Sequence, residues 1–230
     1  MTTSIVIPVF NALQYLKMCV DSIRNHTSDY ELIIVDNGSK PECVEYIKSI
    51  GCKTVLNHKN LGPGAAFNQG IRISDGEYVC LLNSDVKVTA GWLTPLVATL
   101  QSDPQIGIVG PLCDNISSIQ TNMALKRDNI NVCMMKGYVM PFVCVAMRRS
   151  IFMRRGVGLM AERFVSGCSE DSEFCIRLDR AGYLKAIAVG SFVNHALSQT
   201  YKDNGIDCMK SVEEMGKLLD AEEEIKYLDD

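Results

Sequence analysis

Several features that would settle a protein's class at once are missing from this sequence. There is no basic excess: 23 lysines and arginines stand against 27 aspartates and glutamates, a net charge of −4. Nucleic-acid surfaces usually carry a surplus of cations, so that class is disfavoured. No uncharged apolar run reaches the roughly 20 residues of a membrane-spanning helix. The opening residues run straight into an apolar strand without a basic n-region or cleavage site, so no secretory leader is expected. None of the ten cysteines stands in a Cys-x-x-Cys pair, and several lie in apolar runs such as Phe142-Val143-Cys144-Val145. Thiols placed like this behave as small hydrophobes, and reduced cysteines in a cytoplasmic protein are the expectation. What remains is ordinary: 230 residues, 47% hydrophobic and 22% charged, which fits one globular domain or a domain with an appendage.

The first hundred residues alternate between two periods. Ser4–Val9, Glu31–Val35, Lys53–Leu56 and Tyr78–Leu82 are short apolar runs of β-forming residues. Between them, Leu13, Leu16, Val20 and Ile23 recur at helical spacing, Asn11 and Gln14 have capping-box spacing, and Pro41–Ser49 reads as a second helix. Strand and helix in quick alternation predict a parallel sheet with right-handed crossovers.

Three places in this layer can carry chemistry. Tyr78–Leu82 stops at Asn83-Ser84-Asp85, and in open α/β sheets ligands bind just beyond the C-terminal ends of strands. Asp85 therefore stands where a cation or phosphate is expected, although the same three residue types also make turns by bonding their own backbone. Asp36 closes the second strand in the same way, either as an acceptor for base or ribose groups or as an Asx turn with Gly38. Asn60-Leu61-Gly62-Pro63-Gly64 opens a helix whose free N–H groups suit an anion; packing of a glycine-rich helix on the sheet is the alternative. The Gly-Lys-Ser/Thr ending of a Walker loop is missing.

Four segments occur in order: Ile5-Val6-Ile7-Pro8-Val9-Phe10-Asn11, Val35-Asp36-Asn37-Gly38-Ser39, Asn60-x-Gly62 with Asn68-x-Gly70, and Leu81-Leu82-Asn83-x-Asp85. Together they resemble the nucleotide-sugar half of a family 2 glycosyltransferase of GT-A fold, and the last two are similar to its rhamnosyltransferase-like branch. The resemblance implies an α/β fold with a Rossmann-like, mostly parallel central sheet flanked by helices. Residues 1–112 would form the nucleotide-sugar half, 113–200 the acceptor half, and 201–230 a C-terminal helical tail. Donor contacts are implied at Pro8, Val9, Phe10, Asn11, Asp36, Asn60, Gly62, Gly64, Asn68, Asn83 and Ser84. Asp85 and His195 match metal positions, with Mn²⁺ or Mg²⁺ as the ion. The commonest motif is Asp-x-Asp; Asn83 replaces its first acid, so weak binding and tolerance between the two ions are expected.

In the second half, a helix is expected from Gly91 to Leu100, strands over Ile106–Pro111 and Met140–Met147, and a short helix near Ile151. Residues 114–135 are polar and aperiodic and read as loop. Gly158–Phe164 is similar to a family segment that usually has Asp where Ala161 stands. Glu170-Asp171-Ser172-Glu173 is similar to the family's Glu-Asp motif. Asp171 shares a helix face with Phe174 and Leu178, whereas Glu173 is turned towards solvent. An inward acid at a helix start is a general-base candidate, and the dipole should favour its ionised form. Leu184–Val189 runs on as a strand to His195. Met209, Val212, Met215 and Leu219 form a helical stripe that suits packing on the domain or on a second subunit as a homo-oligomer.

The implied function is inverting, metal-dependent transfer of a sugar from a nucleoside diphosphate sugar to a hydroxyl of a glycan or other acceptor. Two rivals stand beside it. A nucleotidyltransferase would usually carry a basic glycine-rich loop after strand one, and Phe10–Gln14 has no glycine, lysine or arginine. A catalytically inactive sugar-nucleotide-binding module would not need both Asp85 and Asp171.

Overall fold

The computed structural model describes residues 2–114, 132–135, 139–165, 167, 169–196 and 213. Among them, β1 (Thr3–Val9), β2 (Tyr30–Asp36), β3 (Lys53–Leu56) and β4 (Tyr78–Leu82) pair in parallel, in the order β3-β2-β1-β4. The helices α1 (Leu13–His26), α2 (Pro41–Ile50) and α3 (Pro63–Ile73) supply the crossovers. Residues of β1 alternate between two cores. Ile5, Ile7 and Val9 face one packed by α1 and α2, through Leu16, Val20, Ile23 and Ile47. Val6 faces the other, packed by α3 through Ala66, Phe67 and Ile71. Burial on both faces explains why β1, β4 and the second half of β2 read as continuous apolar runs.

The remaining strands are β5 (Val86–Val88), β6 (Ile106–Cys113), β7 (Val132–Met135), β8 (Cys144–Arg148) and β9 (Leu184–His195), and they extend the same nine-stranded sheet as β4-β8-β6-β9-β5, with β7 also on β9. The strands β6 and β9 run with β1–β4, and β8, β5 and β7 run against them, so most strands share one direction. The helices here are α4 (Leu93–Ser102), a 3₁₀ turn at Arg149–Met153, and α5 (Glu170–Arg180).

Some local expectations are corrected. The capping box at Asn11 is not formed: α1 begins after Ala12 without a side-chain cap. Asn11 instead takes φ 55° and accepts the Lys40 amide at 2.9 Å. The strand expected from Met140 starts only at Cys144, because Phe142 and Val143 form a turn beside the cleft. Val132–Met135, expected as loop, is a strand, since the edge of β9 opposite β6 supplies backbone partners that no local periodicity reveals. The helical stripe beyond residue 208 lies outside the described residues. No helix among the described residues is long and apolar enough to cross a membrane. Cys19, Cys43, Cys52, Cys80, Cys113, Cys144 and Cys175 are free thiols.

Candidate active site

The strand ends β1 and β4, α5 and the end of β9 surround a cleft of about 200 Å³. Pro8, Val9 and Phe10 form one wall, Asn83, Ser84 and Asp85 the floor, and Asn60 with Pro63 the side next to α3. Glu170, Asp171 and His195 come from the second half of the sheet. Residues far apart in sequence thus converge at the C-terminal edge of the parallel strands, where such folds bind ligands.

Asp85 and His195 are both buried, at 3% and 6% exposure, and face one another with Nε2 to Oδ1 at 3.3 Å. Their approach follows from register: Val86 pairs with His195, and the Ala196 amide donates to the Asp85 carbonyl at 3.1 Å. Asp114, at the end of β6, was not anticipated. It accepts the His195 amide at 2.9 Å and Asn194 Nδ2 at 2.7 Å, holding the end of β9 in place. One carboxylate oxygen and one imidazole nitrogen make a mixed donor set that suits Mn²⁺ and is compatible with Mg²⁺. No cluster of three or more His, Cys, Asp or Glu that could hold an ion occurs among the described residues. A cation here would draw its remaining ligands from phosphate oxygens and water, the usual arrangement for Mg²⁺ on nucleotides.

On α5, Asp171 lines the cleft as expected, but its titration is not governed by the helix dipole. Burial holds its carboxyl above the ordinary value, outweighing the Ser172 amide that donates to it at 2.6 Å. A raised carboxyl is a better proton acceptor once ionised. Glu170 was passed over, although it stands in the same Glu-Asp motif. It is buried, lines the cleft, and is pushed up to about 7, by burial first and then by Asp171. Glu173 is not turned to solvent: Arg177 grips it at 2.8 and 2.7 Å, and Arg163 stands 3.8 Å away.

The remaining expected positions separate into two groups. Asn60, Asn83 and Ser84 line the cleft beside Pro8, Val9 and Phe10. Asn11, Asp36, Gly62, Gly64 and Asn68 stand behind the lining. Asp36 is buried under its own turn, accepting the Gly38 and Ser39 amides at 3.2 Å. The next residue, Asn37, is the one that reaches the cleft. Gly62 has φ +85°, and a Cβ there would lie 2.7 Å from Val165 Cα; one on Gly64 would lie 2.8 Å from the Ala161 carbonyl oxygen. Asn68 clamps the same loop, donating to the Met160 carbonyl at 2.9 Å and to Glu162 at 2.8 Å while accepting the Met160 amide at 2.8 Å. The glycine-rich helix start therefore seats the loop that carries Val165 and Gly167 into the cleft.

The model for glycosyl transferase family 2 matches residues 4–156. The chain belongs to that family. Among curated relatives of this family 2 chain, the putative glycosyltransferase EpsH of Bacillus subtilis (strain 168) is 35% identical over 97 residues, which is 40% of this chain and 27% of EpsH. The pre-mycofactocin glycosyltransferase of Mycobacterium tuberculosis (strain CDC 1551 / Oshkosh) is 31% identical over 192 residues, 78% of this chain and 39% of that protein. The chain thus spans well under half the length of either relative. Among solved structures, GalNAc-T7 with UDP, GalNAc and Mn²⁺ superposes with a TM-score of 0.69 at 21% identity, covering 85% of this chain and 44% of that one. The mannosyltransferase PcManGT from Pyrobaculum calidifontis, in complex with GDP-Man and Mn²⁺, gives 0.65 at 18% identity, covering 85% and 56%. These likenesses establish the GT-A fold of the family 2 domain.

Proposed function

We propose that this domain transfers a hexosyl or deoxyhexosyl group from a nucleoside diphosphate sugar to a hydroxyl of a glycan or other acceptor, with inversion, and that it needs a divalent cation to do so. One observation carries the reading. The cleft gathers Asp85, Glu170 and Asp171, with His195 against Asp85, and among its described lining residues there is no lysine or arginine. A diphosphate entering such a site meets carboxylates of its own sign, and a divalent cation at Asp85 and His195 offsets that repulsion and the charge that develops on the leaving group. UDP and GDP-Man with Mn²⁺ in the two solved relatives support the same choice of ligands.

In this scheme Asp171 accepts the proton of the acceptor hydroxyl. The oxygen forms its bond to the anomeric carbon from the face opposite the diphosphate, while the bond from that carbon to the phosphate oxygen breaks. Charge builds on the sugar as in other glycosyl transfers. The test is a transfer assay across nucleotide sugars with and without Mn²⁺, using wild type and Asp171→Asn. The variant should bind donor nearly as well as wild type and transfer about 10²–10⁴-fold more slowly, the contribution of a positioned base. Glu173→Gln should lose far less, because Glu173 pairs with Arg177 rather than lining the cleft. Equal losses in the two variants would reduce the acids to supports for α5. Donor binding without transfer to any hydroxyl acceptor would favour an inactive binding module.

A further inference from the structure

Four side-chain amides form a chain that runs from Gln69 on α3, behind the cleft, to Asn37 and Asn60 in its lining. Gln69 and Asn57 bond reciprocally, Nδ2 of Asn57 to Oε1 of Gln69 at 2.8 Å and Nε2 of Gln69 to Oδ1 of Asn57 at 2.9 Å. Asn57 Nδ2 also donates to Asn37 Oδ1 at 3.1 Å, and Asn37 Nδ2 donates to Asn60 Oδ1 at 3.0 Å. A chain made only of amides could run with either sense, since each amide has a donor end and an acceptor end. Backbone groups remove that freedom. The Leu61 amide donates to Asn37 Oδ1 at 3.3 Å, and Asn37 Nδ2 donates to the Gly62 carbonyl at 3.0 Å. The Gly62 amide in turn donates to Asn60 Oδ1 at 2.9 Å. A backbone N–H cannot become an acceptor, so the sense of Asn37 and of Asn60 is set.

One consequence concerns what the cleft offers a ligand. Asn60 Oδ1 already accepts two hydrogen bonds, whereas among the described residues nothing engages its Nδ2, and Asn60 lines the cleft. We propose that Asn37 is a positioning residue that holds Asn60 as an N–H donor to an oxygen of the bound nucleotide. This deepens the nucleotide-sugar reading and rests on it. An Asn60 amide turned the other way would set its carbonyl oxygen against an acceptor-rich ligand, so holding the sense beforehand removes an ordering cost from binding. Asn37 is buried and its amide is fully engaged within the chain itself, so its effect on the ligand passes through Asn60.

A double-mutant cycle tests this, with affinities of UDP, GDP, uridine and pyrophosphate measured by calorimetry in Mn²⁺ and with the melting temperature followed in parallel. Asn60→Ala should weaken the better nucleotide about tenfold, the worth of one hydrogen bond. Asn37→Ala alone should weaken it by no more than Asn60→Ala does, because the Gly62 amide still holds Asn60 Oδ1, and should change it by less than about twofold in the Asn60→Ala background, because interacting residues are not additive. Asn57→Ala removes one bond to Asn37 from outside the cleft, and a smaller loss that also vanishes in the Asn60→Ala background carries the test should Asn37→Ala fail to fold. Losses shared by uridine place the oxygen on the nucleoside; losses shared by pyrophosphate place it on the phosphates. Additive losses with normal wild-type binding would overturn the relay alone. A wild type that binds neither nucleotide would overturn the functional reading and the relay together.

Discussion

Replacing Glu170 by Gln should make the protein more stable above neutrality, although it removes a charged group from a helix N-terminus where acids are ordinarily favourable. The carboxyl is pushed up from 4.5 to about 7, mainly by burial and then by Asp171. With its folded value above its unfolded one, the folded state holds the proton more tightly between about pH 4.5 and 7. Stability from this group is therefore complete below about 4.5 and is lost as the pH rises through about 7. At about 1.4 kcal/mol per pH unit the loss is about 3 kcal/mol. Gln carries no charge, and its carbonyl can still accept the Ser169 amide that Glu170 accepts at 3.1 Å. Denaturant unfolding without nucleotide or cation should show the variant more stable by about 3 kcal/mol at pH 8, converging on wild type towards pH 4.5. In thermal melts at pH 8 that is a rise of roughly 6–12 °C for a domain of this size. A variant less stable at pH 8, or an equal difference at both pH values, would refute the argument.

Other expectations follow from the same geometry. Asp85→Asn keeps the shape of the turn but removes the charge beside His195, so Mn²⁺-dependent nucleotide affinity should collapse while unfolding changes little; wild-type activity at limiting Mn²⁺ would return Asp85 to a turn role. Asp36→Ala leaves the Gly38 and Ser39 amides without their acceptor and should cost about 1–3 kcal/mol of stability in a denaturant titration. Weaker nucleotide binding with no loss of stability would instead make Asp36 a direct ligand contact. Gly64→Ala drives a methyl to within 2.8 Å of the Ala161 carbonyl oxygen, which should cost about 1–3 kcal/mol; an unchanged unfolding midpoint would mean that the loop gives way freely.

The parallel layer was legible because β1, β2 and β4 are buried on both faces over much of their length and its helices are amphipathic, so each period shows directly in the residues. The Asn83–Asp85 turn, Asp171 and His195 were legible because strand and helix ends concentrate polar residues where the fold exposes them. Asn37 and Glu170 were adjacent to residues singled out, and were missed because which of two neighbours faces a cleft depends on packing. Glu173 was misread because a helical wheel ignores its two arginines. The role of Gly62, Gly64 and Asn68 could not be read locally: their partner is a loop about ninety residues away, as the Asn68–Met160 bond records.

The sheet also has a history in time. Synthesis delivers β1 to β4 first, yet β4 pairs with β8 on its outer side, and β6 lies between β8 and β9. Until those later strands emerge, β4 presents an apolar strand with an open edge, the kind of template that recruits another chain. Asp85 meets its imidazole only when β9 adds to β5. The cleft is thus complete only after β9 has emerged, and long-range pairing of this kind is slow. A ribosome-released fragment ending near residue 113 should aggregate, and in the complete chain the arrival of cation binding should lag behind the formation of secondary structure.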